Sequence, residues 1–356
     1  MKRFSIPLFS SMSRQRMTLA LLMALAAFLV GSGRSLPAKP TAGGGGGTLA
    51  GTIYFQWNGQ WATMHSDGSG NAPLPAGVSG DPSRLLHGGQ RWFLQTRIIA
   101  GETYGDSLAA RTEQFAVRGD GDSGFTVPLT NDPDLQFLSF PRLQWAPGEN
   151  ADTALIAGLA RRWVWNGTAW EIDLDSIGVY TALIVFDADG NVDGLAAEPE
   201  FQVSLGVSGT SADVYGPYID WSPDLTEIVY VTRDRSQLRA VNLLTDKYRT
   251  VTSGKSPVQA VWSPAGDRIA FNNGFGEIET IRPDGSGRQV IIKPDNTGYL
   301  WDSPTWSPTG SHLLCRHESQ SNFDFPSDVV RVTADGKQKT ILTGDLGGQS
   351  WPEAWR

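Results

Sequence analysis

The chain has 356 residues, of which 41 are Gly, 21 are Pro and 13 are Trp, while only 19% are charged. Frequent Gly and Pro predict many turns, and recurrent Trp predicts large flat groups packed at intervals, so short strands fit this composition better than a helical bundle. The formal net charge of −8 argues against a nucleic-acid partner, because phosphate contacts need Lys and Arg. With one cysteine, Cys315, no intrachain disulfide can form.

The first 33 residues have the order of a secretory signal peptide. Lys2, Arg3, Arg14 and Arg16 are followed by the apolar run Thr18–Val30 and then by small residues. This run is shorter than the about 20 residues that a membrane span needs. We therefore expect an exported protein, periplasmic or extracellular, that associates with a membrane only if this segment stays uncleaved.

Residues 34–50 are rich in Gly and Pro and include five consecutive glycines, Gly43–Gly47. This composition is typical of a flexible tether. We expect the mature chain to begin between Gly31 and Ala38, with one folded domain from Gly51 to Arg356.

A Trp-Ser-Pro signature occurs three times in the C-terminal half of the chain. It lies within Asp220–Asp224, Val261–Gly266 and Thr305–Gly310, and apolar residues follow each Trp after seven and nine positions. That parity places both apolar residues on one face of a strand. Because Ser-Pro and the following Gly favour a tight turn, each unit predicts strand, turn, strand.

A second signal, an Asp-Gly pair between two extended segments, predicts a hairpin in five units. The pairs are Asp67-Gly68, Asp120-Gly121, Asp189-Gly190, Asp284-Gly285 and Asp335-Gly336. The remaining unit has Thr245-Asp246-Lys247 in the same place, and two units are degenerate, with Leu143–Gly148 and Leu85–Gly89 in place of the signature. Six such turns predict six four-stranded units.

The repeats start on a second strand and finish on a first strand. Ile53–Phe55 has no Trp-Ser-Pro strand before it, while residues 350–356 end just after Trp355. We therefore predict an all-β fold, a six-bladed β-propeller of four-stranded antiparallel blades. Pairing of the C-terminal strand with the N-terminal blade closes it, with Trp355 beside Ile53 and Phe55, and removes two free sheet edges.

These repeats resemble the TolB-like β-propeller repeat family across residues 51–356, with the sharpest matches in 217–340. Similar repeats occur in the propellers of tricorn-type and prolyl-oligopeptidase-type peptidases. The resemblance implies a propeller that binds partner proteins at the cell envelope. TolB itself has an α/β domain before its propeller, whereas this sequence has a signal and a tether there, so we expect an isolated propeller and do not transfer TolB's own partner.

The loops after the second and fourth strands are long and varied at Arg97–Gln114, Ala160–Tyr180 and His317–Asp328. Variable loops on a rigid scaffold are frequent binding sites, and aromatic and Arg side chains are preferred interface anchors. The candidate binding residues on this face are Arg97, Tyr104, Arg162, Trp163, Tyr215, Tyr218, Tyr299, Trp301 and Trp351. The alternative is that these rings pack between blades or fill the central channel.

Four short motifs have a chemical and a structural interpretation. Gly121–Gly124 resembles a serine-protease nucleophile segment, and Asp187–Gly194 has the alternating carboxylates of a calcium loop. Asn166-Gly167-Thr168 matches a glycosylation acceptor. In all three we favour a hairpin turn. His312, Cys315 and His317 lie close together, and we favour a structural role for them, with Cys315 in the core, over a zinc site.

Two functions therefore remain open. The first is an exported, non-catalytic propeller that binds a protein or cell-envelope component through its long-loop face. The alternative is a carbohydrate-active lyase or hydrolase with a site at the channel mouth, which would require carboxylates such as Asp213, Asp302 and Asp324 to converge. We favour binding over catalysis, and we expect a monomer without a cofactor or a bound metal.

Overall fold

A computed structural model describes the protein at residues 49, 51–79, 81–87, 90–103, 110–118, 127–128, 130, 132, 134–137, 142–145, 153–186, 192–205, 207–208, 211–212, 219–224, 226–294, 299–319 and 326–356. Every regular element in these ranges is a β-strand, numbered β1 to β27 along the chain. The same ranges contain no helix of the length and apolar character needed to cross a membrane. The predicted signal segment and, apart from Leu49, the predicted tether lie outside them.

The N-terminal sheet, sheet I, includes the last strand of the chain. Its order is β27-β1-β2-β3, formed by β1 (Thr52–Trp57), β2 (Gln60–His65), β3 (Ala72–Pro73) and β27 (Ser350–Trp355). Asn58 and Gly59, with φ of 49° and 78°, form the tight turn between β1 and β2. On the other side of β1, Trp355 lies opposite Ile53, which is the neighbour that the repeat predicts.

Sheets II and III come next in the chain. Sheet II has the order β4-β5-β6-β7, with β4 (Asp81–His87), β5 (Gln90–Thr103), β6 (Ala110–Arg118) and β7 (Val127–Pro128). Sheet III has the order β12-β11-β10-β8, and β9 also pairs with β10. Its strands are β8 (Leu135–Phe137), β9 (Arg142–Trp145), β10 (Thr153–Trp165), β11 (Trp170–Phe186) and β12 (Val192–Ser204). A separate pair, β13 (Val207–Ser208) and β14 (Ser211–Ala212), follows.

Sheets IV, V and VI each have four antiparallel strands in sequence order, and each begins with a Trp-Ser-Pro repeat. Their strands are β15 (Ile219–Trp221), β16 (Glu227–Val231), β17 (Gln237–Asn242), β18 (Lys247–Ser253), β19 (Pro257–Trp262), β20 (Ile269–Asn273), β21 (Ile278–Ile281), β22 (Gln289–Ile292), β23 (Tyr299–Trp306), β24 (His312–Ser319), β25 (Ser327–Thr333) and β26 (Lys339–Ile341). In each sheet the Trp ends the first strand and lies opposite the first apolar residue of the second strand.

Each main apolar core lies between two sheets that are neighbours in the chain, and one core joins the last sheet to the first. The sheet pairs, with a buried residue from each partner, are I–II (Tyr54, Phe93), III–IV (Ile177, Tyr230), IV–V (Val231, Trp262), V–VI (Ile292, Trp306) and VI–I (Val329, Trp355). Between II and III, strand β4 lies beside β9. Antiparallel sheets packed face to face in this succession form a β-propeller.

Two segments predicted as loops are mainly strand. Arg97–Gln114 belongs largely to β5 and β6, and Ala160–Tyr180 belongs to β10 and β11, which pair up to Trp165 and Trp170. Their connection, Asn166–Ala169, has four residues and contains the predicted Asn-Gly turn. Apolar residues alternate up to the turn on both sides, and such residues pair across antiparallel strands, so the ladder continues into the segment expected to be a loop.

The Asp-Gly turns of sheets V and VI each pack against the preceding sheet, and the Asp-Gly turn of sheet I packs against Leu342, just after the last strand of sheet VI. A Cβ atom on Gly68 would lie 3.2 Å from the Leu342 carbonyl oxygen, and one on Gly285 would lie 2.6 Å from that of Val251. A Cβ atom on Gly336 would overlap the Ile291 carbonyl oxygen. These turns therefore need glycine for close packing between sheets as well as for positive φ.

Replacing Gly336 with Ala should destabilise the protein more than replacing Gly59 with Ala. Both residues have positive φ, 76° and 78°, but only the Gly336 Cβ meets backbone, since nothing lies within 4 Å of a Cβ at Gly59. We expect a difference of about 1–3 kcal/mol in unfolding free energy from this overlap. Urea denaturation of the two variants would measure it, and equal losses would show that the turn does not contact sheet V.

Candidate functional site

The β10–β11 hairpin of sheet III is formed by two long strands, of 13 and 17 residues. Its pairing runs from Thr153 opposite Val185 to Trp165 opposite Trp170, and it is interrupted after Ala160. At that point residues 174–177 of β11 lie opposite a single residue of β10. Such a bulge bends a strand and redirects its side chains.

Ser176 fixes the bulge through two hydrogen bonds. Its Oγ accepts from the backbone N–H of Arg162 at 2.8 Å and donates to the Asp173 carbonyl oxygen at 2.6 Å. The Tyr180 hydroxyl donates to the Ser176 carbonyl oxygen at 2.9 Å. The distal part of the hairpin is therefore held in a defined direction relative to the sheet.

Near the sheet, the distal part of the hairpin packs against the rest of the protein. Farther out, it exposes apolar side chains. The Trp163 ring is buried, and its Nε1 donates to Gln136 Oε1 at 3.1 Å. Trp165 and Trp170 lie opposite each other with ring centroids 6.1 Å apart, and Trp165 is 50% exposed. Leu174, in the bulge, is 43% exposed. We call Trp165, Trp170 and Leu174 with the connecting turn the hairpin surface.

The charges beside the hairpin surface are mainly acidic. Glu171, Asp173 and Asp175 follow one another at alternate positions of β11. The two arginines of β10 are engaged within the protein: Arg162 pairs with Asp132 at 2.5 Å, and Arg161 donates to Gln136 Oε1 at 2.8 Å. Glu171 and Asp175 are exposed and Asp173 is half-buried, and strand alternation places Glu171 and Asp173 on the opposite face of β11 from Trp170.

The predicted binding residues are distributed over several sheets. Arg162 and Trp163 are neighbours in the hairpin, whereas Trp301 lies in sheet VI and Trp351 in sheet I. Arg97 and Tyr299 lie in strands β5 and β23, and their side chains are outside the described part. Tyr104, Tyr215 and Tyr218 are outside the described residues altogether.

Trp301 is not a surface group. It is 4% exposed within the core between sheets V and VI, and its ring stacks on His317 with centroids 4.1 Å apart. This ring therefore packs between two sheets, which is the alternative that the sequence left open. Trp351 is half-buried on β27, and its Nε1 donates to Glu353 Oε1 at 3.1 Å.

The sequence did not predict Trp165, Trp170 or Leu174 as binding residues. The signal was present, because Asn166-Gly167 marks the turn and the two tryptophans flank it at nearly equal distance. A Trp next to a hairpin turn has few neighbours, so its ring stays accessible even though its strand is paired.

The structural interpretation of the His312–His317 segment is confirmed for Cys315. This residue is buried in the core between sheets V and VI, and burial raises the pKa of its thiol far above the ordinary value. No group of three or more His, Cys, Asp or Glu side chains in the described ranges is placed to hold a metal ion. Gly121–Gly124 lies outside those ranges, as does most of Asp187–Gly194.

Among the carboxylates considered for catalysis, Asp302 is engaged by an arginine. The Arg316 guanidinium donates to both of its oxygens, at 2.8 and 2.5 Å, and also lies 3.2 Å from Glu318. Burial raises the pKa of Glu318 above its ordinary value, although Arg316 opposes this. Asp213 and Asp324 are outside the described residues.

No family model matches the chain. A stretch of it is similar to the Tol-Pal system protein TolB of Francisella tularensis subsp. holarctica, strains OSU18 and LVS, with 28% identity over 97 residues. The match covers 25% of this chain and 22% of each relative, so it spans less than a quarter of the relatives' own length. It confirms the resemblance to the TolB-like β-propeller repeat family.

Solved structures with a related arrangement are more distant in sequence. A putative TolB from Agrobacterium tumefaciens is 14% identical, covering 86% of this chain and 98% of that chain, with a TM-score of 0.47. An oligogalacturonate lyase from Vibrio parahaemolyticus is 10% identical, covering 83% of this chain and 72% of that chain, with a TM-score of 0.46. Likenesses at this level carry no conclusion about activity.

Proposed function

We propose that this chain, which carries TolB-like β-propeller repeats, is an exported, non-catalytic binding protein of the cell envelope. Sheets I to VI would be six blades in a closed ring, with β8 and β9 together serving as the first strand of the third blade. The core between sheets VI and I, which contains Trp355 and Val329, supports this closure. The protein would act as a monomer in the periplasm or outside the cell.

The observation that carries the binding proposal is the hairpin surface. A paired, bulge-fixed hairpin that ends in a half-exposed Trp costs little ordering entropy on binding, and Trp is a preferred anchor of protein interfaces. The partner would be a protein or envelope component with apolar groups that contact Trp165 and Leu174.

A carbohydrate-active site at the channel mouth is less well supported. Such a site needs one carboxylate free to act as a base or nucleophile and a second to act as an acid. Asp302 is bound on both oxygens by Arg316, which leaves it poorly placed for either role.

Changing Trp165 to Ala should weaken partner binding by about 2 kcal/mol or more, the loss typical of an interface anchor. The matched control is Ile341→Ala, which removes a 57% exposed apolar side chain from β26 of sheet VI. The measurement is affinity capture from an envelope extract, followed by titration of the captured partner against both variants. Equal affinity of Trp165→Ala and the parent would show that the partner does not bind at this surface. Depolymerisation of an added polysaccharide by the protein would favour the alternative, a carbohydrate-active enzyme.

A further inference from the structure

The turn at the end of the hairpin engages both polar atoms of the Asn166 side chain. Its Oδ1 accepts three hydrogen bonds of 2.9 Å each, from the backbone N–H groups of Thr168 and Ala169 and from the Thr168 hydroxyl. Its Nδ2 donates to Glu171 Oε2 at 3.0 Å. The next residue is Gly167, and all these residues are exposed.

We propose that Asn166 is a site of spontaneous deamidation. The Gly167 backbone nitrogen attacks Cγ of Asn166, and the new N–Cγ bond closes a cyclic imide. The Cγ–Nδ2 bond breaks, and Nδ2 leaves as ammonia after gaining the proton lost by the Gly167 amide. Water then opens the imide at either carbonyl carbon, which gives aspartate or isoaspartate.

The three donors on Oδ1 favour the first step. Attack on Cγ places negative charge on this oxygen, and donors already directed at the atom that becomes charged stabilise the transition state. Gly167 favours the same step for a steric reason. It has φ of +100°, and nothing lies within 4 Å of the position that a Cβ would occupy, so its nitrogen is not shielded by a side chain.

Two other Asn-Gly pairs lie in the described chain, and of these Asn273-Gly274 has a buried asparagine side chain. Asn58-Gly59 is exposed like Asn166-Gly167 but lacks its set of donors. Asn58 Oδ1 accepts from the Gln349 backbone N–H at 2.9 Å and lies against Gly348, the residue before Gln349. This contact fixes its side chain on the β26–β27 connection, away from its own turn. Asn58 is therefore a control within the same chain, with the same dipeptide but fewer donors on the amide oxygen.

Deamidation would change the hairpin surface. Aspartate or isoaspartate at position 166 places a carboxylate beside that of Glu171, where the amide now donates a hydrogen bond. Like charges at this distance repel each other, so the turn between Trp165 and Trp170 should open. The effect on binding rests on the proposed function, whereas the reaction itself does not.

Incubation of the full chain at mildly alkaline pH, followed by peptide mapping and an isoaspartate assay, tests the proposal. The Asn166 peptide should convert at least about tenfold faster than the Asn58 peptide, and Thr168→Val should slow it about tenfold by removing the hydroxyl donor. Thermal melts would check that the variant folds. Conversion of Asn58 at an equal or higher rate, or no effect of Thr168→Val, would overturn the proposal. Partner binding is measured separately, before and after incubation.

Discussion

Deletion of residues 351–356 is expected to leave the domain unfolded or aggregated. The deletion removes almost all of β27, which pairs with β1 and contains the buried Trp355 and Ala354. It exposes the apolar core that sheets VI and I share, including Phe55 and Val329. Truncating one buried Trp typically costs about 3–5 kcal/mol, against a total stability of about 5–15 kcal/mol.

Two further variants separate ring closure from mere shortening of the chain. Removing five glycines, Gly43–Gly47, from the predicted tether should leave the melting temperature within about two degrees of the parent, because glycine has no side chain to bury in a core. The melting temperature of Trp355→Ala should lie between those of the two deletion variants. Circular dichroism melts would rank all three, and a folded β27 deletion that melts with the parent would mean that β27 does not complete sheet I.

Replacing Glu279 with Gln should lower the unfolding free energy by about 3 kcal/mol at neutral pH. This is the loss of stability typical of a buried ion pair from which one partner is removed. Glu279 is 1% exposed, and Arg288 binds both of its oxygens, at 2.6 and 3.1 Å. Arg288 also donates to Thr252 Oγ1 of sheet IV at 2.9 Å. The pair therefore connects two sheets, and Gln leaves the Arg288 charge without its partner.

This loss should shrink as the solution becomes acidic. Burial alone would raise the pKa of Glu279, but hydrogen bonds from Arg288 and Asn273 outweigh it and hold the pKa below the ordinary 4.5. The pair therefore stabilises the fold above 4.5, and its contribution disappears as pH falls through the lowered value. Urea denaturation of parent and Glu279→Gln across this range would measure the difference, and a difference independent of pH would contradict the ion pair.

The sequence was most informative where local chemistry repeats. The Trp-Ser-Pro units specify strand, turn and strand because Ser263 Oγ accepts the Arg268 N–H at 3.1 Å while Gly266 takes a φ of 71°. The placement of Trp355 opposite Ile53 also follows from the repeat, since a half-unit at each end of the chain leaves one strand position to fill.

The candidate site was predicted less well, because exposure depends on what neighbouring elements cover. Trp301 and Trp163 belong to the residue types of an interface anchor, yet one lies between two sheets and the other packs on Gln136. Trp165 differs from Trp163 by two positions and faces the same way, but it lies beyond the reach of β8. The local sequence does not show how far a neighbouring strand such as β8 extends along β10.

Hydrogen exchange at the contact between the chain ends tests ring closure most directly. The backbone N–H of Thr52 donates to the Arg356 carbonyl oxygen at 2.6 Å, and that of Arg356 donates to Thr52 at 2.9 Å. If β27 completes sheet I, these amides and those of β27 should exchange with the same free energy as the amides of the inner strand β20, that is, only through global unfolding. Exchange of the β27 amides at a free energy several kcal/mol lower, typical of a frayed terminus, would contradict the closed propeller.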